Sequence, residues 1–196
     1  RTTASTGVPE TATCTAAGRA LLDDTTVAAQ LATLTARGQG LETIWVPATS
    51  MYTRTTNGAA SGTVETATSL VMRKTFDFDT ATQEFVQFAV RFPKSWNLGT
   101  VTFIPLWIPA SGSGGVVFGL AGVALGDNEA ANTAFGTAQT STDTLLTAAN
   151  VHIGPTSSAI TIAGTIAAGD WVAFQVNRTV ADAGDTLGVD APLFGI

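Results

Sequence analysis

With 196 residues, 45% of them hydrophobic, the chain can bury a full core and is not a disordered polymer. A net charge of −6 with scattered basic residues excludes the electrostatic footprint that attracts a phosphate backbone, so no nucleic-acid partner is expected. Charged residues make up only 12% of the chain, which fits either a surface engaged with neighbouring subunits or an extracellular β-domain solvated by hydroxyls.

Residues 1–15, rich in Thr, Ala, Ser, Gly and Pro, read as an extended leader with no core of its own. A short helix follows in the stretch GRALLDDTTVAAQLATL. Asp23 or Asp24 serves as its N-cap, and Gly38 and Gly40 stop it. Val27, Leu31 and Leu34 recur at spacings of four and three, forming one apolar stripe. A helix of about three turns is marginal alone in water. The stripe is therefore expected to pack on the β-domain that follows or on the same stripe of sister chains.

From Leu41 the hydrophobic period shortens to two. In TFDFDTATQEFVQFAVRF, Phe76 and Phe78 alternate with Asp77 and Asp79; after a turn, Val86, Phe88, Val90 and Phe92 share one strand face and Gln87 and Arg91 mark the other, a strand, turn, strand unit with one wet side. Further strands are expected at 43–46, 63–74, 100–108, 116–125, 145–153, 159–162, 171–178 and 186–194, separated by Gly, Pro, Asn and Asp turn signals. Pro105 and Pro109 are expected at an edge or a bulge. The fold class is all-β: a jelly-roll-like antiparallel β-sandwich over 41–196, preceded by a leader and one short α-helix over 1–40. Both ends read as cut, with a further strand expected after Ile196.

Candidate chemistry is sparse. The single cysteine, Cys14, and single histidine, His152, form no metal set, and His152 has no G-x-S-x-G nucleophile to serve. The pair Asp77 and Asp79 reads as the wet side of a strand, and Asp182, Asp185 and Asp190 as turn residues, rather than as a glycosidase pair. Asp77, Asp79 and Glu84 lack the glycine and further ligands of a calcium loop. The NRT sequon at Asn177 falls in an expected strand. No cofactor, metal or catalytic residue is expected. The apolar run from Gly115 to Gly126 is too short to cross a bilayer, and no signal peptide is visible.

Trp45, Trp96, Trp107, Trp171 and Tyr52 could form a sugar platform through their flat rings. Trp107 and Trp171 fall in apolar strands and read as core. Trp96 lies in a loop beside Lys94 and Asn97, which makes these three the candidate contact with a ligand or a neighbouring subunit; the alternative is a loop anchor closing the sandwich end.

The segment AGRALLDDTTVAAQLATL resembles a short motif of tail-fibre and other appendage proteins of tailed bacteriophages. Stretches such as RTTNGAASGTVET and AGDWVAFQVNRTVADAGDTLGVDAPLFGI are similar to a β-sandwich domain of phage and prophage structural proteins. The resemblance covers most of the chain from Gly18 onward. It implies a virion component, often trimeric, with other virion proteins as partners, and carries over no catalytic residue; the stripe Val27, Leu31 and Leu34 is then read as the joint of a homotrimer, and a host-surface glycan is a further expected partner. The chain's function would be that of a tail fibre, spike or other appendage contributing to host attachment. A capsid decoration protein, a carbohydrate-binding module and a polysaccharide depolymerase are the alternatives.

Overall fold

The computed structural model describes residue 29 and residues 42–196. The chain divides into two compact units, Arg1–Thr43 and Ile44–Ile196. Of the first, Ala29 is helical; the leader and the stripe Val27, Leu31 and Leu34 lie outside the described residues.

The second unit is built from ten strands and one 3-10 turn, Ala48–Ser50. The strands are β1 (Tyr52–Thr53), β2 (Ala60–Glu65), β3 (Met72–Phe78), β4 (Phe85–Val90) and β5 (Leu106–Trp107), then β6 (Gly115–Leu125), β7 (Gln139–Thr144), β8 (His152–Ile153), β9 (Trp171–Arg178) and β10 (Ala191–Gly195). They form two five-stranded antiparallel sheets, ordered β1-β4-β9-β6-β7 and β2-β3-β10-β5-β8. From β3 onward every connection crosses to the other sheet except β6 to β7, which pair directly. That alternation is the jelly roll, with β1 and β2 added at one side. The inner faces meet in a core that includes Phe76, Phe78, Phe88, Trp107, Phe118 and Phe174.

Alternation explains the strands that form as expected. In β9, Val172, Phe174, Val176 and Arg178 point inward, while Trp171, Ala173, Gln175 and Asn177 take the outer face. β6 is buried on both faces, as an unbroken apolar run requires.

Several expectations need correction. The unit around Phe76 to Phe92 is not one sheet with a wet side, because β3 and β4 belong to opposite sheets. The crossing is held by Asp79, whose Oδ1 accepts the amide protons of Ala81 (2.5 Å) and Thr82 (2.9 Å), while Glu84 Oε2 accepts that of Asp79 (2.9 Å). Those amides hold the Asp79 carboxyl below its ordinary range. Asp77 is occupied differently, accepting the Thr75 hydroxyl (2.7 Å).

The single strand expected over 63–74 is two strands. The turn between them places Leu70 at φ 53, with Thr66 Oγ1 accepting the Val71 amide (2.8 Å). The strand expected at 145–153 is a loop but for β8, and the polar stretch before it is β7. Segments 43–46 and 159–162 make only isolated pairings, and 186–194 is strand only from Ala191. Pro105 and Pro109 are not on an edge strand, but beside Pro105 the β10–β5 register shifts between Leu193 and Gly195, the irregularity expected there. The two prolines bracket β5 inside its sheet, and this limits its ladder to two residues.

Candidate functional site: the outer face of the β4–β9 sheet

The exposed aromatic residues of the β1-β4-β9-β6-β7 sheet lie on its outer face. In register, Tyr52 of β1 sits beside Gln87 of β4, and Gln87 beside Gln175 of β9. One row along, Ala89 faces Ala173; at the start of β9 stands Trp171. Tyr52 is 49% exposed and Trp171 43%, values unusual for large rings anchored in strands. The two are two strands and four residues apart, about 10 Å across and about 13 Å along the sheet at ordinary spacings. Between them the floor is low, because alanine occupies both positions of the intervening row.

Polar side chains flank this floor and are held by one another. Gln175 Oε1 accepts from Arg54 Nη1 (3.1 Å) and from Gln87 Nε2 (3.2 Å). The Arg54 guanidinium also lies 3.9 Å from the centre of the Phe85 ring, which fixes its plane. At the other end Arg91 donates through Nε to the Gly169 carbonyl (2.9 Å). The result is a sheet face with an exposed ring at each end, an alanine row between them and hydrogen-bonded amide and guanidinium groups beside it. It can bind an extended, uncharged, hydroxyl-rich ligand. Among these described residues none is a carboxylate or a nucleophile.

The other candidates are placed elsewhere. Trp171, expected in the core, is on this face. Trp96 is not an exposed contact: half-buried, it stacks on Phe92 at 4.2 Å between ring centres and closes one end of the core. Lys94 and Asn97 beside it are exposed, and Asn97 Oδ1 accepts the Gly99 amide (2.9 Å). Trp107 is core as expected, with its indole N–H donated to Asp143 Oδ2 (2.8 Å). Trp45 is exposed at the start of the unit, tilted against Phe194. Asn177 is buried and donates to Thr179 Oγ1 (3.0 Å), so the sequon is out of reach of a glycan.

The carboxylates do not converge. Asp185 pairs with Arg178, and Asp182 accepts the Gly184 amide (2.8 Å). His152 bonds to the Thr147 carbonyl (3.0 Å) and to no hydroxyl. Among the described residues no group of His, Cys, Asp and Glu could hold a metal ion, and no helix is long and apolar enough to cross a membrane. Sequence reasoning included Tyr52 in its aromatic set but did not single it out. Gln87, Gln175 and Arg54 were missed as a site, and the outward parity of Gln175 with Trp171 was the available signal.

No protein-family model matches the chain, and no curated protein matches it in sequence. Among solved structures it is similar to the family 11 carbohydrate-binding module from Clostridium thermocellum in complex with a β-1,3-1,4-mixed-linked tetrasaccharide. The two are 12% identical, the alignment covers 80% of this chain and 89% of that one, and the TM-score is 0.37. A likeness that loose assigns no ligand, so the site is read from its own residues.

Proposed function

We propose that the β-sandwich is a non-catalytic glycan-binding module and that the chain is a structural component of a bacteriophage particle, an appendage that attaches to the host surface. The observation carrying the first part is the exposed pair Tyr52 and Trp171 on one outer sheet face, with the row Ala89 and Ala173 between them and the hydrogen-bonded Gln175 and Arg54 alongside. Rings of this kind pack on the C–H faces of a sugar, and the spacing suits a short oligosaccharide rather than one residue.

A glycan array followed by titration calorimetry tests this. Tyr52→Ala and Trp171→Ala are each expected to weaken binding about fivefold to tenfold, at roughly 1 kcal/mol per ring. Trp96→Ala, if it folds, leaves the affinity unchanged. Equal binding by wild type and the double alanine variant would overturn the assignment.

The virion reading is supported by the sequence resemblance of residues 17–34 and of the stretches that follow. It carries a proposal of self-association through Val27, Leu31 and Leu34. In sedimentation analysis the full chain is expected to run as a homotrimer, and Leu31→Asp as a monomer, because a charge on the stripe would have to be buried. A wild-type monomer would refute the joint.

A further inference from the structure

At the opposite margin of the sandwich, the loop between β7 and β8 encloses a second cavity, about 250 Å³ in volume. Asp143, Thr147, Asn150 and His152 supply its polar lining. Its rim is apolar and exposed: Leu146 is 85% accessible, Ile153 67% and Val151 54%. The loop is tethered by backbone bonds from Leu145 to Gly114 (2.9 Å) and from Ala149 to Pro109 (2.7 Å), so the cavity is preformed. Ala149 takes the left-handed conformation at φ 62, a strain worth about 1 kcal/mol that the tether must offset.

Asp143 and His152 offer acceptors here. Asp143 Oδ2 receives the Trp107 indole proton (2.8 Å) and Oδ1 the Thr144 amide proton (2.9 Å), and each carboxylate oxygen retains a second lone pair. The imidazole of His152 is buried against Trp107, 4.8 Å between ring centres. Its Nε2 faces the Thr147 carbonyl, an acceptor, so Nε2 carries a proton; in the neutral ring Nδ1 is then the acceptor. Among the described residues no buried side-chain polar atom is without a partner. Among the described residues no Lys or Arg lines the cavity, so the Asp143 charge meets no cation from them there.

We propose that this cavity is a binding site for a primary ammonium group carried on a short alkyl stem. The Asp143 carboxylate would take the charge, His152 Nδ1 a second N–H, and Leu146, Val151 and Ile153 would cover the stem. A neutral alcohol supplies one donor and no charge, and so forfeits the charge-assisted bond. The inference is independent of the proposed glycan face, which is the outer side of one sheet and shares no residue with the cavity.

The test follows the Trp107 indole N–H resonance of the full chain by NMR during titration with n-butylammonium, with Nα-acetyl-lysine methylamide, and with 1-butanol as the uncharged control. A saturable shift with an amine and none with butanol is expected. Asp143→Asn, which keeps an acceptor for Trp107, is expected to weaken it at least about tenfold. Saturation by butylammonium alone identifies a free amine, whereas saturation by the capped lysine identifies a lysine side chain. Equal response to butanol, no saturable response to either amine, or an Asp143→Asn variant that binds like wild type would overturn the site. None of these results bears on Tyr52 or Trp171, so the two assignments stand or fall separately.

Discussion

Replacing Arg178 with alanine is expected to lower the stability of the sandwich by about 3–5 kcal/mol, close to the whole margin of some domains. Arg178 closes β9 on its inner face and is fully buried, with the Asp185 carboxylate 3% exposed beside it. Its Nε and Nη2 meet Asp185 at 3.0 and 2.7 Å. Nη1 donates to the carbonyls of Val189 (2.9 Å) and Phe78 (3.3 Å), and Nη2 also to that of Leu187. One side chain thus ties β9 of the first sheet to β3 of the second and to the loop leading into β10. Alanine removes the cation from a carboxylate that keeps only the Val117 amide, and the guanidinium donors from three carbonyls, and that desolvation penalty sets the size of the loss.

Arg178→Lys is expected to recover little, because an ammonium cannot fork between carboxylate and carbonyls. Asp185→Asn should cost less than Arg178→Ala, since the amide oxygen can still accept the Val117 amide (3.1 Å). Urea denaturation of the three variants checks the order. An Arg178→Ala loss under about 1 kcal/mol would show that the buried pair contributes no more than an exposed one.

How much of this was legible follows from which signals are local. β4, β6 and β9 could be read because their patterns are complete within each strand: strict alternation in FVQFAV, an unbroken apolar run in GVVFGLAGVAL. β7, with the sequence QTSTDT, has no apolar face and forms because β6 offers it a ladder along the sheet edge. The turn at Leu70 escaped notice because a β-compatible apolar residue occupies the left-handed position where glycine or asparagine would have marked it. No local pattern separates a turn that pairs two strands from one that carries the chain to the other sheet, and so β3 and β4 were read as one unit.

The site was half legible for the same reason. WVAFQVNR puts Gln175 and Asn177 on the same side as Trp171, a sign that this side is not the deepest core, but an initial Trp in an apolar run reads as buried. What brings Tyr52 to the same surface is register through β4, a pairing 35 residues distant in the chain, since Tyr52 stands opposite Gln87. Arg178 shows the converse. Its inward parity was visible, yet Asp185, the residue that makes burial tolerable, read as turn chemistry.

The second large effect lies where β6 and β9 cross the core. Phe174 is 3% exposed, stacks on Phe88 at 5.2 Å and meets Phe92 edge-on at 6.1 Å; Phe92 in turn supports Trp96. Opposite Phe174 in register is Gly122, where a Cβ would come within 2.8 Å of the ring. The absence of a side chain there is what lets the ring lie across the neighbouring strand. Phe174→Ala is therefore expected to cost about 3–5 kcal/mol, and Gly122→Ala alone to destabilise by about 1–3 kcal/mol through overpacking. In the Phe174→Ala background the sign reverses: the added methyl fills part of the void and removes a glycine from a strand interior, so the double variant should be more stable than Phe174→Ala. Denaturation curves for the four proteins measure this coupling, and Trp96 fluorescence should shift to the red in Phe174→Ala as its aromatic support loosens. A Gly122→Ala penalty of equal size in both backgrounds would mean that something other than the Phe174 ring demands glycine at that position.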